Sequence, residues 1–181
     1  AFVLASFLHG EIIQHRETCS YTPAMPILLR PATDSDLPIL YEQQLDPDAT
    51  AMAAFPSRDE EAFYAHSKKI MADEAVIFRA IVYNGQVAGS IGSWEMEGKR
   101  EVGYWIGKEF WGKGIATDAL NEFLAVDRSR PLHARVASDN VASRRVLEKC
   151  EFRVIATERG VAEARSAEIE ELVLRLDEAP R

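Results

Sequence analysis

The sequence predicts a single domain of mixed α/β class, in which a mostly antiparallel sheet is flanked by helices in the order βααβββαβαββ. Short apolar runs bounded by turn residues alternate with longer segments whose apolar residues recur at helical spacing. Three of these runs follow one another with only tight turns between them, which indicates neighbouring antiparallel strands. The 181 residues, 47% of them hydrophobic, are enough for one domain with a full core.

The first third of the chain predicts one strand and two helices. Residues 27–32 (ILLRPA) are short, apolar and end at a proline, which is typical of a strand. Residues 33–45 offer a threonine or aspartate as helix N-cap, followed by apolar residues at helical spacing. The two prolines in 46–58 predict a loop. Residues 58–73 place acids first and lysines later, as the helix dipole favours, and predict a second helix.

Three consecutive strands are predicted in the middle of the chain. The runs 75–83 and 86–94 flank an Asn-Gly pair, which is a strong hairpin signal. A second turn around Gly98 leads into the run 100–107. We therefore expect an antiparallel meander.

Helices and strands alternate in the last third. A helix is predicted from 114 to 127, where the apolar residues at roughly helical spacing are Ile115, Leu120, Phe123, Leu124 and Val126. The remaining predicted elements are a strand at 132–137, a capped helix at 139–150 and two strands, expected to pair with each other, at 152–160 and 168–176.

Residues 1–24 are expected to be an N-terminal extension of unknown role, because Met25 begins a stretch typical of a domain start, and the domain itself is expected to cover 25–178. The apolar run at the N-terminus has no basic region before it and no cleavage site after it, which argues against a secretion signal. Two cysteines are too few for a disulfide framework or a zinc site. A reducing cytoplasm fits best.

Charge and hydropathy exclude several classes of partner. The formal net charge of -8 argues against a protein that coats nucleic acid or an anionic membrane, because both need a cationic face. No apolar run approaches the roughly 20 residues that cross a bilayer. The four histidines show no metal-ligand spacing, so no metal is expected. An acidic chain tolerates a basic or amine-bearing substrate.

Glycines stand where the helix at 114–127 is predicted to begin, in the stretch EFWGKGIATDAL. The N-terminus of a helix carries free backbone N–H groups, and these bind anions with the help of the helix dipole. Gly112 and Gly114 would let a phosphate approach the backbone, and Lys113 adds a positive charge. Residues 112–116 are therefore predicted to wrap a phosphate or pyrophosphate. The alternative is a glycine turn that only joins strand to helix.

A nucleotide triphosphatase is a weaker alternative for the same stretch. The spacing Gly107-x4-Gly112-Lys113 matches a phosphate-binding P-loop up to its last position. That position requires serine or threonine to bind magnesium, and here it is Gly114. We also expect no parallel βαβ unit at this place in the chain.

The stretch VGYWIGKEFWGKGIATDAL (102–120), followed by SDNVASRRVLEKCEF (138–152), closely resembles the GNAT superfamily of N-acetyltransferases. The likeness covers about residues 26–177 and is strongest to the branch of ribosomal-protein N-terminal acetyltransferases (RimJ/RimL-like). The family has the same order of elements. The resemblance implies transfer of an acetyl group from acetyl-CoA to a primary amine, by direct attack through a tetrahedral intermediate, with a protein or peptide N-terminal α-amine as the expected acceptor.

The resemblance also implies which residues hold acetyl-CoA. The pyrophosphate signature of the family maps to 111–116, with Trp111 in place of the usual glutamine or arginine. The strand at 100–107 is expected to pair its backbone with the pantetheine arm and to splay from the next strand, leaving a V-shaped cleft. Gly103 fits this strand independently, since a strand glycine marks a bulge or a close approach. The implied residues are Tyr104, Trp105, Ile106, Trp111, Gly112, Lys113, Gly114, Ile115, Ala116, Thr117, Asn140 and Ser143.

The proton donor for the departing thiolate is the point where this chain departs from the family. Asn140 and Ser143 match the family's Asn-x-x-Ser and would face the pantetheine and the thiol, although both are also ordinary first-turn residues of a helix. Many family members carry a tyrosine where this chain has Leu147, and a glycine where it has Glu151. Ser143 or a bound water is the expected substitute.

Glu101 is the candidate general base, directly or through water, because it lies on the cleft strand two residues before Gly103. The alternative is a solvated carboxylate at the end of a strand. Glu95 and Glu97, one strand earlier, are the reserve candidates. An α-amine with a pKa of about 7.7–8.0 needs little help to lose its proton, whereas a lysine at about 10.4 needs a base.

Several alternatives stay open. The acceptor could be a small amine such as an amino acid, a polyamine or an antibiotic, or the chain could be a CoA-binding regulatory module without turnover. Cys150 is interpreted as a small core residue rather than a nucleophile. Arg144, Arg145 and Lys149 either reach the 3'-phosphate of CoA or form a solvated helix face. A homodimer is also possible.

Overall fold

A seven-stranded sheet organises the chain, in a computed structural model that describes residues 27–178. The strand order across the sheet is β1-β2-β3-β4-β5-β7-β6. The strands are β1 (Leu28–Pro31), β2 (Ile77–Tyr83), β3 (Gln86–Met96), β4 (Lys99–Ile106), β5 (Leu132–Ala137), β6 (Arg153–Ala162) and β7 (Ala167–Leu176). The helices are α1 (Leu37–Gln44), α2 (Pro47–Ala53), α3 (Glu60–Ala72), α4 (Ile115–Val126) and α5 (Val141–Lys149).

The predicted fold class is confirmed. Among the described strands every neighbouring pair is antiparallel except β4 and β5. Each predicted strand and helix is present, and β6 and β7 pair as expected. The predicted extension at residues 1–24 lies outside the described residues.

The predicted loop at 46–58 contains a helix, α2, so that prediction was wrong. The Asp46 side chain caps this helix by accepting hydrogen bonds from the backbone N–H groups of Asp48 (2.9 Å) and Ala49 (3.0 Å). The proline that follows Asp46 stands in the first turn, where its missing N–H costs nothing. The helix ends at Ala54, which has a left-handed backbone (φ 57°).

The parallel unit that the sequence analysis did not expect is also present. Strands β4 and β5 are joined by α4 and run parallel, through the pairs Arg100–Leu132 and Glu101–His133. Because the pairing covers so few residues, the apolar pattern of β5 gives no sign of its direction. Gly114, in place of the serine or threonine that binds magnesium, is then the feature that distinguishes this turn from a P-loop.

The two faces of the sheet are covered by different helices. Helices α4 and α5 pack on the face that carries Val102, Tyr104 and Ile106, and the main core lies there. On the opposite face, α1 lies over β3, and the indole N–H of Trp105 donates to the backbone carbonyl of Gln43 (3.2 Å). The alternation along β4 thus gives this strand one wall toward α5 and one toward α1.

A buried carboxylate, Asp127, ties the end of α4 to β3 and β4. It accepts hydrogen bonds from Ser93 Oγ (2.5 Å), Arg100 Nε (2.9 Å) and the backbone N–H of Ser129 (2.9 Å). Burial alone would raise the pKa of Asp127, but these hydrogen bonds outweigh it and lower the pKa to about 2. The network holds β4 at the residue before its pairing with β5 ends.

In residues 27–178 no helix is long and apolar enough to cross a membrane.

Candidate active site

A cleft opens between β4 and β5 beyond the pair Glu101–His133, where their hydrogen bonding stops. It forms a cavity of about 480 Å³ lined by residues 102–106 of β4 and 134–137 of β5. The first residues of α4 and α5 and part of α2 complete the wall. The predicted V-shaped gap between the two strands is confirmed.

The glycine turn at one end of the cleft leaves its backbone open. Gly112 (φ 73°) and Gly114 (φ 80°) have left-handed backbones, and a Cβ at either position would meet no heavy atom within 4 Å. Gly114 is the N-cap of α4 and has no side chain to cap it. After Gly112, the first backbone N–H with a backbone acceptor is that of Thr117, which donates to the carbonyl of Gly114. Within the described chain the N–H groups of residues 112–116 therefore have no acceptor. Such a cradle fits a phosphate or pyrophosphate.

Two neighbouring side chains are held by the turn itself. The indole N–H of Trp111 donates to the carbonyl of Ile106 (2.8 Å), so this residue braces the turn and its N–H is not free for a phosphate. Lys113 donates to the carbonyl of Glu109 (2.9 Å) and lies over the ring of Phe110, with 5.3 Å from Nζ to the ring centroid. Its charge stays beside the turn.

Gly103 makes room for an aromatic ring rather than for a bulge. It pairs with Gly92 in an unbroken β3–β4 ladder. A Cβ on Gly103 would lie 2.9 Å from Cη2 of Trp94, so a side chain at this position would force the indole to move. The predicted close approach is therefore confirmed, and its partner is the Trp94 indole.

Tyr104 and Ser143 meet across the cavity, from β4 and α5. The Tyr104 hydroxyl lies 2.8 Å from Ser143 Oγ and 3.2 Å from the Ser143 carbonyl oxygen. Burial, partly offset by the hydrogen bond to Ser143, raises the pKa of Tyr104 to about 12. The sequence analysis assigned both residues to acetyl-CoA binding but gave no sign that their hydroxyls are bonded to each other.

Asn140 is confirmed as the N-cap of α5. Its Oδ1 accepts from the backbone N–H of Ser143 (3.0 Å), which places the serine in the first turn of the helix. Its Nδ2 donates to the carbonyl of Met52 in α2 (3.1 Å). Asn140 and Ser143 both line the cavity. Their contact with acetyl-CoA stays a prediction.

The position of the family's tyrosine is apolar and buried. Leu147 lines the cavity and is 2% exposed. Nearby Cys150 is 1% exposed, and its thiol lies 3.8 Å from the carbonyl of Thr117. Burial raises the pKa of the Cys150 thiol to about 11, which keeps it protonated. The interpretation of Cys150 as a core residue is confirmed.

Glu101 is buried and paired. It is 4% exposed, and its Oε1 accepts from Arg135 Nε (3.2 Å). The same guanidinium also reaches Glu158 (2.6 Å) and Glu171 (3.1 Å). Arg135 lines the cavity, whereas Glu101 lies behind it. The alternative of a solvated strand-end carboxylate was therefore wrong, and the role of Glu101 as a base stays a prediction.

The other charged candidate residues differ in whether they line the cavity. Glu95 and Glu97 are exposed near the β3–β4 turn and do not line the cavity. Arg145 and Lys149 line the cavity, while Arg144 points to Glu148 (2.7 Å) along the helix. No group of three or more His, Cys, Asp or Glu in residues 27–178 is arranged to hold a metal ion.

Arg165, which the sequence did not indicate as a site residue, contacts α2. Arg165 Nε donates to the carbonyl of Ala51 (2.6 Å), Nη2 donates to that of Met52 (3.3 Å) and Nη1 pairs with Asp139 (2.5 Å). These bonds satisfy carbonyls at the C-terminus of α2, which forms part of the cavity wall. No local signal marks the contact between Arg165 and α2, since the two are more than a hundred residues apart in sequence. An aspartate followed by proline could have indicated α2 itself.

A second cavity, of about 500 Å³, lies between α1, α3 and the turn after β4. Its charged lining is mainly acidic, with Glu42, Asp46, Glu60 and Glu109 beside Lys108. Lys108 is already paired with Asp46 at 3.5 Å. This cavity suits an anion poorly, so the cleft between β4 and β5 is the better site for a phosphate-bearing molecule.

Solved structures with the same fold include enzymes acting on different kinds of amine. A ribosomal-protein-alanine N-acetyltransferase from Brucella melitensis has a TM-score of 0.72 at 22% identity and covers 83% of this chain and 99% of its own. A RimL ribosomal L7/L12 α-N-protein acetyltransferase in complex with coenzyme A has a TM-score of 0.74 at 17% identity, covering 84% and 94%. A putative phosphinothricin N-acetyltransferase has a TM-score of 0.68 at 21% identity, covering 85% and 99%. At these identities the likeness shows the fold alone.

The family is shown by the sequence. No curated protein matches the chain significantly. The model of the acetyltransferase (GNAT) domain matches residues 27–153, which include β4, the glycine turn and α5. The chain therefore belongs to the GNAT family of acetyl-CoA-dependent acetyltransferases.

Proposed function

We propose that this protein transfers the acetyl group of acetyl-CoA to the α-amine at the N-terminus of a peptide or protein. The observation that carries the proposal is the set of free N–H groups at residues 112–116, at one end of a cleft whose middle holds the Tyr104 and Ser143 hydroxyls. The cradle would hold the pyrophosphate of the donor. The open edge of β4 would pair with its pantetheine arm, and Asn140 would contact that arm.

The cleft would act mainly by holding two reactants in place. Acetyl-CoA supplies an acyl group that is activated as a thioester. Well-oriented reactants can gain about 7–11 kcal/mol from proximity alone. Within residues 27–178, the edge of β4 that faces β5 has no strand partner beyond Glu101, so a backbone N–H there would be free to stabilise an oxyanion.

The charges near the vertex of the cleft support an amine acceptor. Three carboxylates face one guanidinium at Arg135, so this group carries a net negative charge next to the cavity. A negative group attracts a protonated amine to the site. An α-amine has a pKa of about 7.7–8.0, so a useful fraction is neutral and able to attack without a strong base. Glu101 would accept the proton through water or through rearrangement of its pair with Arg135.

A thiol-release assay tests the proposal. Wild-type protein and acetyl-CoA are mixed with a peptide that has a free α-amine, with the same peptide blocked at its N-terminus but carrying a lysine, and with small amines. We expect rapid release only with the free α-amine. Release with small amines alone would assign the enzyme to that acceptor class. Binding of acetyl-CoA without release to any amine would indicate a regulatory module.

We also propose that the protein is located in a reducing cytoplasm and forms a homodimer. Cell fractionation tests the location. A homodimer is tested by light scattering on the purified protein.

A further inference from the structure

We propose that Tyr104 is a positioning residue that directs the hydroxyl proton of Ser143 toward the sulfur of the acetyl donor. The inference rests on the proposed function, since it concerns the departure of the thiolate in that reaction. It assigns the proton donor to Ser143, oriented by Tyr104 of β4, rather than to the position of Leu147.

The contacts of Ser143 carry the inference. Its backbone N–H is held by Asn140 Oδ1 (3.0 Å), and the Tyr104 hydroxyl lies 2.8 Å from its Oγ and 3.2 Å from its carbonyl oxygen. A serine in the first turn of a helix is normally free to rotate about χ1. Here the neighbours on β4 and α5 fix its position. Tyr104 and Ser143 both line the cavity, so the hydroxyl pair faces the space that the pantetheine arm would fill.

The position of the family's tyrosine and the groups close to it are poor proton donors to a thiolate. Leu147 is apolar, and the Cys150 thiol is 1% exposed and lies against the carbonyl of Thr117. The nearby Trp111 N–H is bonded to Ile106. Asn140, Arg145 and Lys149 also line the cavity, and the hydroxyl pair is a polar contact that joins β4 to α5 across it.

A phenol is a stronger hydrogen-bond donor than an aliphatic hydroxyl, and the 2.8 Å contact with Ser143 Oγ is within the usual range for an O–H···O bond, whereas the 3.2 Å contact with the Ser143 carbonyl is outside it. Burial raises the pKa of Tyr104 to about 12, so the phenol stays protonated throughout the neutral range. When Tyr104 donates to Ser143 Oγ, the serine proton is left free to point into the cavity. A serine without this donor would turn its own proton toward the Tyr104 oxygen or toward a backbone carbonyl.

The proton balance of the step is complete. The amine nitrogen bonds to the acyl carbon, the carbon–sulfur bond breaks and the sulfur leaves with the electron pair. The sulfur takes the proton of Ser143, while Tyr104 keeps its own proton and its hydrogen bond to the serine oxygen. The proton that the amine releases returns through water to Ser143 Oγ. No proton is gained or lost overall.

A double-mutant cycle tests whether the two hydroxyls act together. We expect Tyr104→Phe and Ser143→Ala each to lower kcat by about ten- to a hundredfold, with little change in KM for acetyl-CoA. The double variant should be no slower than the worse single variant, because either change interrupts the same path. Tyr83→Phe, which removes a hydroxyl from a ring packed on Phe110, is the control and should match wild type. Multiplicative effects in the cycle would overturn the inference.

A second measurement does not depend on turnover. The ultraviolet absorbance of thiolate reports the pKa of the CoA thiol when CoA is bound to each protein. A hydroxyl that donates to sulfur stabilises the thiolate, so we expect this pKa to be lower by about one pH unit in wild type than in Tyr104→Phe. Equal values in the two proteins would overturn the inference while leaving the proposed function intact. Failure of wild type to bind CoA would overturn both.

Discussion

The Nε atom of Arg135 lies 3.2 Å from Oε1 of Glu101, at the vertex where β4 and β5 part. This ion pair joins the two strands just below the cleft and buries the carboxylate that the sequence offers as a base. Arg135 lines the cavity, whereas Glu101 does not. Proton transfer to Glu101 would therefore require a water or a shift of the guanidinium toward Glu158 and Glu171.

Replacement of Glu101 by glutamine tests its role as a base. The variant keeps the shape of the side chain but can no longer accept a proton at the pH of the assay. We expect the rate of acetylation of an α-amine to fall most at low pH, where the amine is mostly protonated, and its pH profile to follow the free amine at about 7.7–8.0. The measurement is kcat/KM against pH for wild type and variant.

Glu95→Gln is the matched control, because Glu95 is exposed and outside the cavity. It should have the wild-type profile. If Glu101→Gln has the wild-type profile as well, Glu101 takes no part in the proton transfer.

The pair between Arg30 and Asp36 predicts how stability depends on pH. The two terminal guanidinium nitrogens of Arg30, Nη1 and Nη2, donate to the Asp36 carboxylate at 2.7 and 2.6 Å. The hydrogen bonds from Arg30 lower the pKa of Asp36 from an ordinary value of 3.8 to about 2. A depressed pKa contributes stability that is fully present above pH 3.8 and is lost as the pH falls through about 2. Asp36→Asn should therefore lower the free energy of unfolding at pH 6 by about 1–3 kcal/mol.

Urea unfolding of wild type and variant at several pH values measures this difference. The gap between the two should close as the pH approaches 2, where wild-type Asp36 becomes protonated. Asp34→Asn changes an exposed aspartate in the same turn and should leave stability nearly unchanged. A gap of constant size from pH 6 to pH 2 would contradict the assignment.

The contacts of Arg165 predict the local stability of α2. This side chain bonds to the carbonyls of Ala51 and Met52, and bonds from charged groups are typically worth about 1.5–3 kcal/mol. Arg165→Gln should speed hydrogen exchange of the α2 amides by about tenfold or more, without changing exchange in β3. Arg159→Gln is the control, because Arg159 is an exposed strand residue paired with Glu170 at 3.4 Å. Unchanged exchange in α2 would show that packing alone holds this helix.

The local patterns that predicted the fold are the ones the structure uses. The Asn-Gly turn forms the β2–β3 hairpin, and Gly114 begins α4 with the left-handed backbone that glycine favours. Helix α2 was missed because a proline was interpreted as a helix breaker, whereas in the first turn it is compatible with a helix. The direction of β5 was missed because parallel pairing here depends on two residue pairs, which a period-2 pattern does not encode.

The site was predictable only where it depends on backbone. The glycine turn, the splayed strand and the cap of α5 follow from residue types at fixed spacing. The partners of the side chains do not, because they join positions far apart in sequence. Glu101 meets Arg135 on the next strand, and Tyr104 meets Ser143 on a helix 39 positions later. Each of these pairs changes the chemistry that its residue offers.

Calorimetric titration of CoA into wild type and Gly114→Asp tests the central claim most directly. An aspartate at this N-cap adds a carboxylate where the pyrophosphate would lie, and Gly98→Asp is the control because Gly98 has a similar backbone (φ 73°) in a turn with open space around it. We expect micromolar binding to wild type and to Gly98→Asp, and binding at least about a hundredfold weaker to folded Gly114→Asp. Equal binding to all three, or no binding to folded wild type, would contradict the claim that the open amides of residues 112–116 hold the acetyl donor.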